Sequence, residues 1–195
     1  MANLPQNIFS VILAAGSSSR FGTTKQTVKL NDVPLVRRAI DTAARACDDR
    51  VITVIGHDGS AVLQAMNGNS GFVVVNEDYG QGLGSSIAVA ARACRHCADA
   101  LLLLLADQAL VTTNHLLALL DNWSGSDTEI VATAYDDVQG PPVLLPRGTF
   151  DDLCQLDGDT GAHALFGDDR FQLKTVRFEP AAIDIDTPED LAALT

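Results

Sequence analysis

The amino-acid sequence predicts an α/β fold with a mainly parallel sheet, on three observations. Runs rich in Val, Ile, Leu and Phe recur along the chain, and segments with the periodicity of amphipathic helices separate them. The resulting strand–helix–strand order requires crossover connections, which are right-handed and make neighbouring strands parallel. The runs lack the alternation of a half-exposed strand, so we expect them to be buried on both faces.

Apolar runs define the strands of the first two thirds of the chain. They cover residues 8–13, 51–55, 72–75, 100–106 and 129–134. Between these strands, apolar side chains share one helix face from Val36 to Cys47 and again from Ile87 to Cys94.

After Tyr135 the pattern is less regular. Short strands are predicted at 142–145 and 171–178, and helical stretches at 149–154 and 162–166. We expect this half to add an antiparallel piece to the sheet and to form one wall of a cleft. Residues 183–186 alternate Ile and Asp, which predicts a short strand with Asp184 and Asp186 on one side. Thr187 then caps a helix that has Pro188 at its first position.

The composition limits the class of protein. The 195-residue chain is 47% apolar, enough for one sizeable core, and without repeats or a linker we expect a single domain over residues 1–195. A net charge of −12 disfavours binding to nucleic acid or an anionic membrane. The longest apolar run is far below the ~20 residues of a bilayer span. No basic leader precedes the first strand, so we expect a cytoplasmic protein.

Cys94 and Cys97 lack a second Cys/His pair and are expected to be ordinary thiols.

The residues after the first strand have the composition of a phosphate-binding loop. Ligands of parallel sheets bind beyond the carboxyl ends of the strands. Small residues between Leu13 and Gly22 let backbone amides approach an anion, and Arg20 and Lys25 add cationic donors. The spacing matches neither a Walker A loop nor the G-x-G-x-x-G dinucleotide fingerprint. A flexible Gly/Ser connection with two solvated cations is the alternative.

Two further strand ends carry polar residues. The turn Gly82-Leu83-Gly84-Ser85-Ser86 opens a helix and is either an anion or sugar site or a capped helix start. Asp107 follows the strand at 100–106, where a buried carboxylate needs a divalent metal or a salt-bridge partner. Asp184 or Asp186 could complete a magnesium site with Asp107, since Mg²⁺ takes one or two carboxylates plus phosphate oxygens and water.

Five motifs occur in a fixed order over nearly the whole chain. They are L-A-A-G-x-x-x-R-F-G-x-x-K at 13–25, G-L-G-S-S at 82–86, L-A-D-Q at 105–108, G-D-T-G-A at 158–162 and D-I-D-T-P-E-D-L at 184–191. Together they resemble the MobA-like NTP transferase family, most closely its molybdenum cofactor cytidylyltransferase (MocA-type) branch. The resemblance implies a Rossmann-like three-layer α/β/α nucleotidyltransferase fold. It also implies Mg²⁺-dependent transfer of CMP from CTP to the phosphate of molybdopterin, with release of pyrophosphate.

The resemblance assigns a role to each matching residue. Lys25 and Arg20 would be catalytic and contact the triphosphate, and Asp107 and Asp186 would hold Mg²⁺. The nucleotide would be bound by Leu13, Ala14, Ala15, Gly16, Ser18, Gly22, Asn76, Gly82, Ser85 and Ser86. The acceptor would be contacted by Gly158, Asp159, Thr160, Gly161 and His163. The chain departs from the usual family residues at Ala109, Pro141 and His163, and the last two lie on the side that the resemblance assigns to the acceptor.

Such a reaction needs no protein nucleophile, because an acceptor phosphate is already ionised at neutral pH. What remains is to neutralise and align several negative charges, which Mg²⁺ with Lys25 and Arg20 would do. CTP is favoured over GTP because the guanylyl-transferring branch usually has glycine in place of Ala15. The alternatives are guanylyl transfer, transfer to another phosphorylated small molecule, and a non-catalytic chaperone that delivers the cofactor to a recipient molybdoenzyme. A dinucleotide-dependent oxidoreductase is disfavoured by the missing fingerprint.

Overall fold

The computed structural model describes residues 6–18, 21–68 and 71–194. In chain order the strands are β1 (Ile8–Ala14), β2 (Lys29–Leu30), β3 (Val33–Pro34), β4 (Val51–Ile55), β5 (Phe72–Val75), β6 (Ala100–Leu105), β7 (Glu129–Tyr135), β8 (Val138–Pro146) and β9 (Gln172–Arg177). The helices are α1 (Leu35–Ala46), α2 (Gly59–Ala65), α3 (Leu83–Cys94), α4 (Thr113–Asn122), α5 (Phe150–Leu153) and α6 (Pro188–Ala192). Short 3-10 turns cover Lys25–Thr27, Tyr79–Gln81, Arg147–Thr149, Ala162–Leu165 and Glu179–Ala182.

The main sheet has seven strands in the order β5-β4-β1-β6-β8-β7-β9. Strand β8 runs antiparallel to both of its neighbours, β6 and β7. The remaining pairs are parallel. The predicted α/β fold with a mainly parallel sheet and an antiparallel addition in the C-terminal half is therefore confirmed.

Helices cover both faces of the sheet and give the three predicted layers. On one face, α3 contributes Ile87 and Ala91 to the core together with residues of α5. On the other face, α1, α2 and α4 contribute Ile40, Val62 and Leu116. The central strands are mostly apolar because both of their faces pack against helices, and their few polar residues, such as Ser10 and Thr53, are buried as well. Within the described ranges, no helix is long and apolar enough to cross a membrane.

Strand β5 departs from the predicted burial. Phe72 and Val75 are 65% and 58% exposed, because β5 is an edge strand of the sheet. The prediction that every apolar run is buried on both faces was wrong here, since the composition of a run does not reveal its place in the sheet order. Helix α2 was not predicted either, and it buries little beyond Val62.

The C-terminal helix begins at the predicted residue. Thr187 and Asp190 form a capping box, in which the Thr187 hydroxyl accepts a hydrogen bond from the Asp190 backbone N–H. The preceding residues 183–186 form no strand, so the predicted short strand was wrong. Ile185 is nevertheless fully buried, and its N–H donates to the Asp107 carbonyl oxygen at 3.1 Å. This bond attaches the C-terminal segment to the end of β6.

Candidate active site

A cleft of about 490 Å³ lies beyond the carboxyl ends of β1 and β6. This is the edge of a parallel sheet where ligands are expected, because the loops that follow neighbouring strands converge there. The lining residues are Leu13, Ala15, Gly16, Ser17, Ser18, Lys25, Gln26, Tyr79, Gly80, Gly82, Leu83, Ser86, Leu105, Asp107, Asp159 and Asp186.

Three charged side chains from distant parts of the sequence meet in this cleft. Lys25 Nζ lies 2.6 Å from Asp107 Oδ2 and 2.8 Å from Asp186 Oδ1. Burial alone would lower the pKa of Lys25, but attraction to Asp107 and hydrogen bonds to both carboxylates outweigh it and raise the pKa above its ordinary value. The ammonium is therefore charged at neutral pH.

Asp190 holds Asp186 in place. The Asp190 carboxylate accepts hydrogen bonds from the backbone N–H groups of Asp186 and Thr187, at 3.0 and 2.8 Å. Hydrogen bonds from Thr187, from side chain and backbone, lower the pKa of Asp190. The helix start that was predicted from the sequence thus fixes the backbone that carries an active-site carboxylate.

The carboxylates fit a hard divalent cation. Asp107 Oδ1 is buried and has no hydrogen-bond partner among the described residues, and carboxylate oxygens are ligands that Mg²⁺ prefers. No group of three or more His, Cys, Asp or Glu residues able to hold a metal forms in the described part of the chain. Any further ligands would be phosphate oxygens and water, which Mg²⁺ commonly retains.

The loop after β1 is shaped by Gln26, a residue to which the sequence analysis gave no role. Its side chain is 6% exposed, its amide nitrogen donates to the Gly16 carbonyl oxygen at 3.1 Å, and its amide oxygen accepts from the Ser18 hydroxyl at 3.2 Å. Ser18 Oγ in turn accepts from the Lys25 backbone N–H at 3.1 Å. The one feature of the sequence that could have indicated this role is that Gln26 is a polar residue directly after Lys25. Arg20 lies outside the described residues.

The glycines of the second loop provide close packing. A Cβ atom at Gly84 would lie 2.5 Å from the Asp157 carbonyl oxygen, and one at Gly82 would lie 2.4 Å from that of Gly158. The Gly84 N–H donates to the Gly158 carbonyl oxygen at 2.9 Å. This amide at the start of α3 is therefore engaged by the neighbouring loop, and the two motifs at 82–86 and 158–162 form one wall.

The structure brings some of the residues assigned to the nucleotide into the cleft and places others beside it. Those that line the cleft are Leu13, Ala15, Gly16, Ser18, Gly82 and Ser86. Ala14 is 1% exposed and packs on the opposite face of the sheet, and Gly22 is not among the lining residues. Asn76 donates to the hydroxyl oxygens of Ser85 and Ser86, both at 2.9 Å. Asn76 thus holds Ser86 in place, while the Ser85 hydroxyl donates to the Gly82 carbonyl oxygen at 2.8 Å and does not line the cleft.

A second, largely apolar chamber of about 360 Å³ adjoins the cleft. It contains Gly161 and His163 of the residues assigned to the acceptor, whereas Asp159 lines the cleft itself. Gly158 packs on the loop at 82–84, and Thr160 lines neither space. Tyr135 lies on the chamber wall, and burial raises its pKa. The negative charge of Asp184 raises the pKa further. Asp184 therefore lies near Tyr135, while Asp186 contacts Lys25.

Cys94 and Cys97 show no sign of a metal site. Cys94 is fully buried, and burial raises the pKa of its thiol to about 12. The Cys97 thiol donates to the Cys94 carbonyl oxygen at 3.4 Å. A thiol with so high a pKa is a poor metal ligand, because the thiolate is the binding form.

The fold and the cleft define a Rossmann-like nucleotidyltransferase architecture. Residues 10–176 match the MobA-like NTP transferase domain, and the chain belongs to that family. Rv0371c from Mycobacterium tuberculosis H37Rv is 32% identical to this chain, with 97% of each chain covered and a TM-score of 0.80. The structure of Rv0371c in complex with manganese is also similar to this chain, with 31% identity and a TM-score of 0.79. The match covers 96% of this chain and 97% of the Rv0371c chain. Nicotine blue oxidoreductase from Paenarthrobacter nicotinovorans is 26% identical over 96% of both chains.

Proposed function

We propose that this chain is a Mg²⁺-dependent nucleotidyltransferase that transfers CMP from CTP to the phosphate of a molybdopterin-type acceptor. The observation that carries the proposal is the contact of Lys25 with Asp107 and Asp186 in the cleft beside the loop after β1. Membership of the MobA-like family supports nucleotidyl transfer.

In the proposed reaction, an oxygen of the acceptor phosphate attacks the α-phosphorus of the triphosphate. A new P–O bond forms, the bond from the α-phosphorus to the oxygen bridging to the β-phosphorus breaks, and pyrophosphate leaves. Lys25 donates hydrogen bonds to the phosphate oxygens and offsets the negative charge that develops on them. The loop at Gly16, Ser17 and Ser18 lies against the phosphates and orients them for in-line attack.

The charges in the cleft support a cation requirement. The described lining residues carry three carboxylates, on Asp107, Asp159 and Asp186, and one ammonium, on Lys25. A triphosphate entering alone would meet net negative charge from these described residues. Asp107 and Asp186 would hold the metal ion, which supplies Lewis-acid charge neutralisation at the phosphates when bound.

CTP is proposed over GTP because Ala15 lines the cleft where the guanylyl-transferring branch usually has glycine. Thermal unfolding with Mg²⁺ and each of CTP, GTP, ATP and UTP tests this choice, since a ligand that binds only the folded state raises stability by RT ln(1 + [L]/Kd). Protection by CTP that depends on Mg²⁺, followed by pyrophosphate release with molybdopterin, is the expected result. Protection by GTP alone would select guanylyl transfer, and protection by no triphosphate would reject the proposal.

Oxidoreduction with a nicotinamide dinucleotide is a second candidate function. It is favoured by the end-to-end match to nicotine blue oxidoreductase and opposed by the absence of G-x-G-x-x-G in the loop after β1. Saturable protection by NADH or NADPH, without protection by any triphosphate, would select it.

A further inference from the structure

Two buried polar atoms near the end of β6 have no hydrogen-bond partner among the described residues. They are the side-chain oxygen Oε1 of Gln108 and the guanidinium nitrogen Nε of Arg38. Gln108 is 5% exposed and directly follows Asp107, while Arg38 lies on α1. The first atom is an acceptor and the second carries a donor N–H. Unpaired buried groups of this kind are costly and rare in folded proteins, so each requires a partner.

Gln108 and Arg38 line the same small cavity, which lies between α1 and the end of β6. The remaining lining residues are Leu35, Ala39, Thr42, Leu104, Leu105, Ala106, Ala109 and Val111. Apart from Arg38, no charged residue of the described ranges lines it. The cavity has a volume of about 10 Å³, which is about the space that one water molecule requires. It is too small for a larger ligand.

Hydrogen bonds to the surrounding backbone fix both side chains. Gln108 Nε2 donates to the carbonyl oxygens of Ala181 and Pro141, which identifies the remaining amide atom as the acceptor oxygen. Arg38 Nη2 donates to the Leu30 carbonyl oxygen at 2.9 Å and anchors the guanidinium. Arg38 Nε and Gln108 Oε1 are not bonded to each other. A donor and an acceptor therefore belong to one cavity without meeting.

We propose that this cavity binds one structural water molecule, which accepts a hydrogen bond from Arg38 Nε–H and donates one to Gln108 Oε1. Such a bridge satisfies both buried atoms and is nearly as favourable in enthalpy as a direct hydrogen bond. Thr42, one turn beyond Arg38 on α1, also lines the cavity and can provide a third partner through its hydroxyl. The positive charge of Arg38 opposes a metal cation in the same place. The bridge joins α1 to the residue that follows Asp107, and it does not depend on the proposed reaction.

A crystal structure of the wild-type protein, at a resolution that shows ordered water, tests the proposal directly. We expect one water molecule within about 3 Å of both Arg38 Nε and Gln108 Oε1. A direct hydrogen bond between the two side chains, a dry cavity, or a water bonded to only one of the two atoms would overturn the proposal. This result is independent of nucleotide binding, so failure of the proposed nucleotidyl transfer would leave the water site standing.

A double-mutant cycle tests the bridge in solution. Arg38→Met and Gln108→Leu each remove the bridge together with other hydrogen bonds, and those other losses cancel in the cycle. The double variant should raise the unfolding constant in urea by a factor at least about fivefold below the product of the two single effects. Arg45 is an exposed arginine on the same helix, and Arg45→Met should combine with Gln108→Leu multiplicatively. Equal coupling for the two arginines would overturn the bridge, and if a variant does not fold, the wild-type crystal structure decides.

Discussion

The side-chain amide nitrogen of Gln108 donates a hydrogen bond to the Ala181 carbonyl oxygen at 2.9 Å. The same nitrogen donates to the Pro141 carbonyl oxygen at 3.0 Å. Gln108 is 5% exposed and directly follows Asp107. One buried amide therefore joins the end of β6 to β8 and to the segment that leads to Asp186, and it contributes to the relative position of the two carboxylates.

Replacing Gln108 with leucine should destabilise the fold. The buried Ala181 carbonyl oxygen and the half-buried Pro141 carbonyl oxygen would lose their donor, and an unsatisfied buried polar group costs about 1–3 kcal/mol. We expect the free energy of unfolding in urea to fall by about 2 kcal/mol. The matched control is Gln155→Leu at an exposed position, which should change stability by less than about 0.5 kcal/mol. Equal effects of the two variants would contradict this role.

Replacing Lys25 with alanine should reduce turnover far more than stability. The variant loses the ammonium that faces the phosphates, and loss of one such electrostatic contact typically costs about 10²–10³ in kcat. The ion pairs of Lys25 are half-buried, with side chains 12–30% exposed, so their removal should cost about 1–2 kcal/mol, between the values for exposed and for buried pairs. Pyrophosphate release and urea unfolding measure the two effects. Lys29→Ala, at an exposed position nearby, should match the wild-type protein, and wild-type turnover in Lys25→Ala would remove Lys25 from the mechanism.

Replacing Gln26 with leucine should weaken nucleotide binding more than it slows turnover at saturation. The variant keeps a similar volume but removes the hydrogen bonds to Gly16 and Ser18 that shape the loop. With about 1 kcal/mol for each of the two hydrogen bonds, we expect KM for the triphosphate to rise about thirtyfold. A fall in kcat with unchanged KM would show that Gln26 does not act through the nucleotide loop.

Replacing Gly84 with alanine should push apart the two loops that form the wall of the cleft. The new Cβ atom would lie 2.5 Å from the Asp157 carbonyl oxygen, whereas nothing lies within 4 Å of a Cβ atom at Gly167. Overpacking of this kind typically costs about 1–3 kcal/mol. We therefore expect Gly84→Ala to lower both the unfolding temperature and the affinity for the triphosphate, and Gly167→Ala to change neither. An unaltered affinity in Gly84→Ala would separate this contact from nucleotide binding.

His115 should make stability depend on pH between about 4 and 6.5. Burial lowers its pKa from 6.5 to about 4. The Thr133 hydroxyl donates its proton to the Pro142 carbonyl oxygen at 2.6 Å, so His115 Nε2 must donate to Thr133 Oγ1 at 2.8 Å. Because the unfolded side chain takes up a proton at higher pH than the folded one, this stabilisation is complete above about pH 6.5. It is lost as the pH falls towards 4.

Urea unfolding of the wild-type protein and of His115→Gln across this pH range measures the effect. We expect the wild-type protein to lose about 3 kcal/mol more than the variant between pH 7 and pH 4. The comparison cancels the titration of the carboxylates that both proteins share. Parallel pH profiles would show that His115 does not titrate in the expected way.

The sequence by itself determined the strands of the main sheet and the helices α1 and α3 that pack on its two faces. Continuous apolar runs and helical periodicity are local properties, and they predicted the parallel strands, the helix α3 and the cap at Thr187. Lys25 and Asp107 were candidates because they follow parallel strands, whose carboxyl ends meet at one edge of the sheet. The choice of Asp186 came from the resemblance to the MobA-like family.

Only the tertiary structure decided how these residues meet and what surrounds them. Lys25 contacts carboxylates that are 82 and 161 residues away in the sequence, and nothing local distinguishes Asp186 from Asp184 as its partner. The exposure of β5, the packing of Gly84 against Asp157 and the hydrogen bonds of Gln108 likewise depend on segments brought together by folding. Periodicity reports which face of an element is apolar, but the neighbour of that face is set by long-range packing.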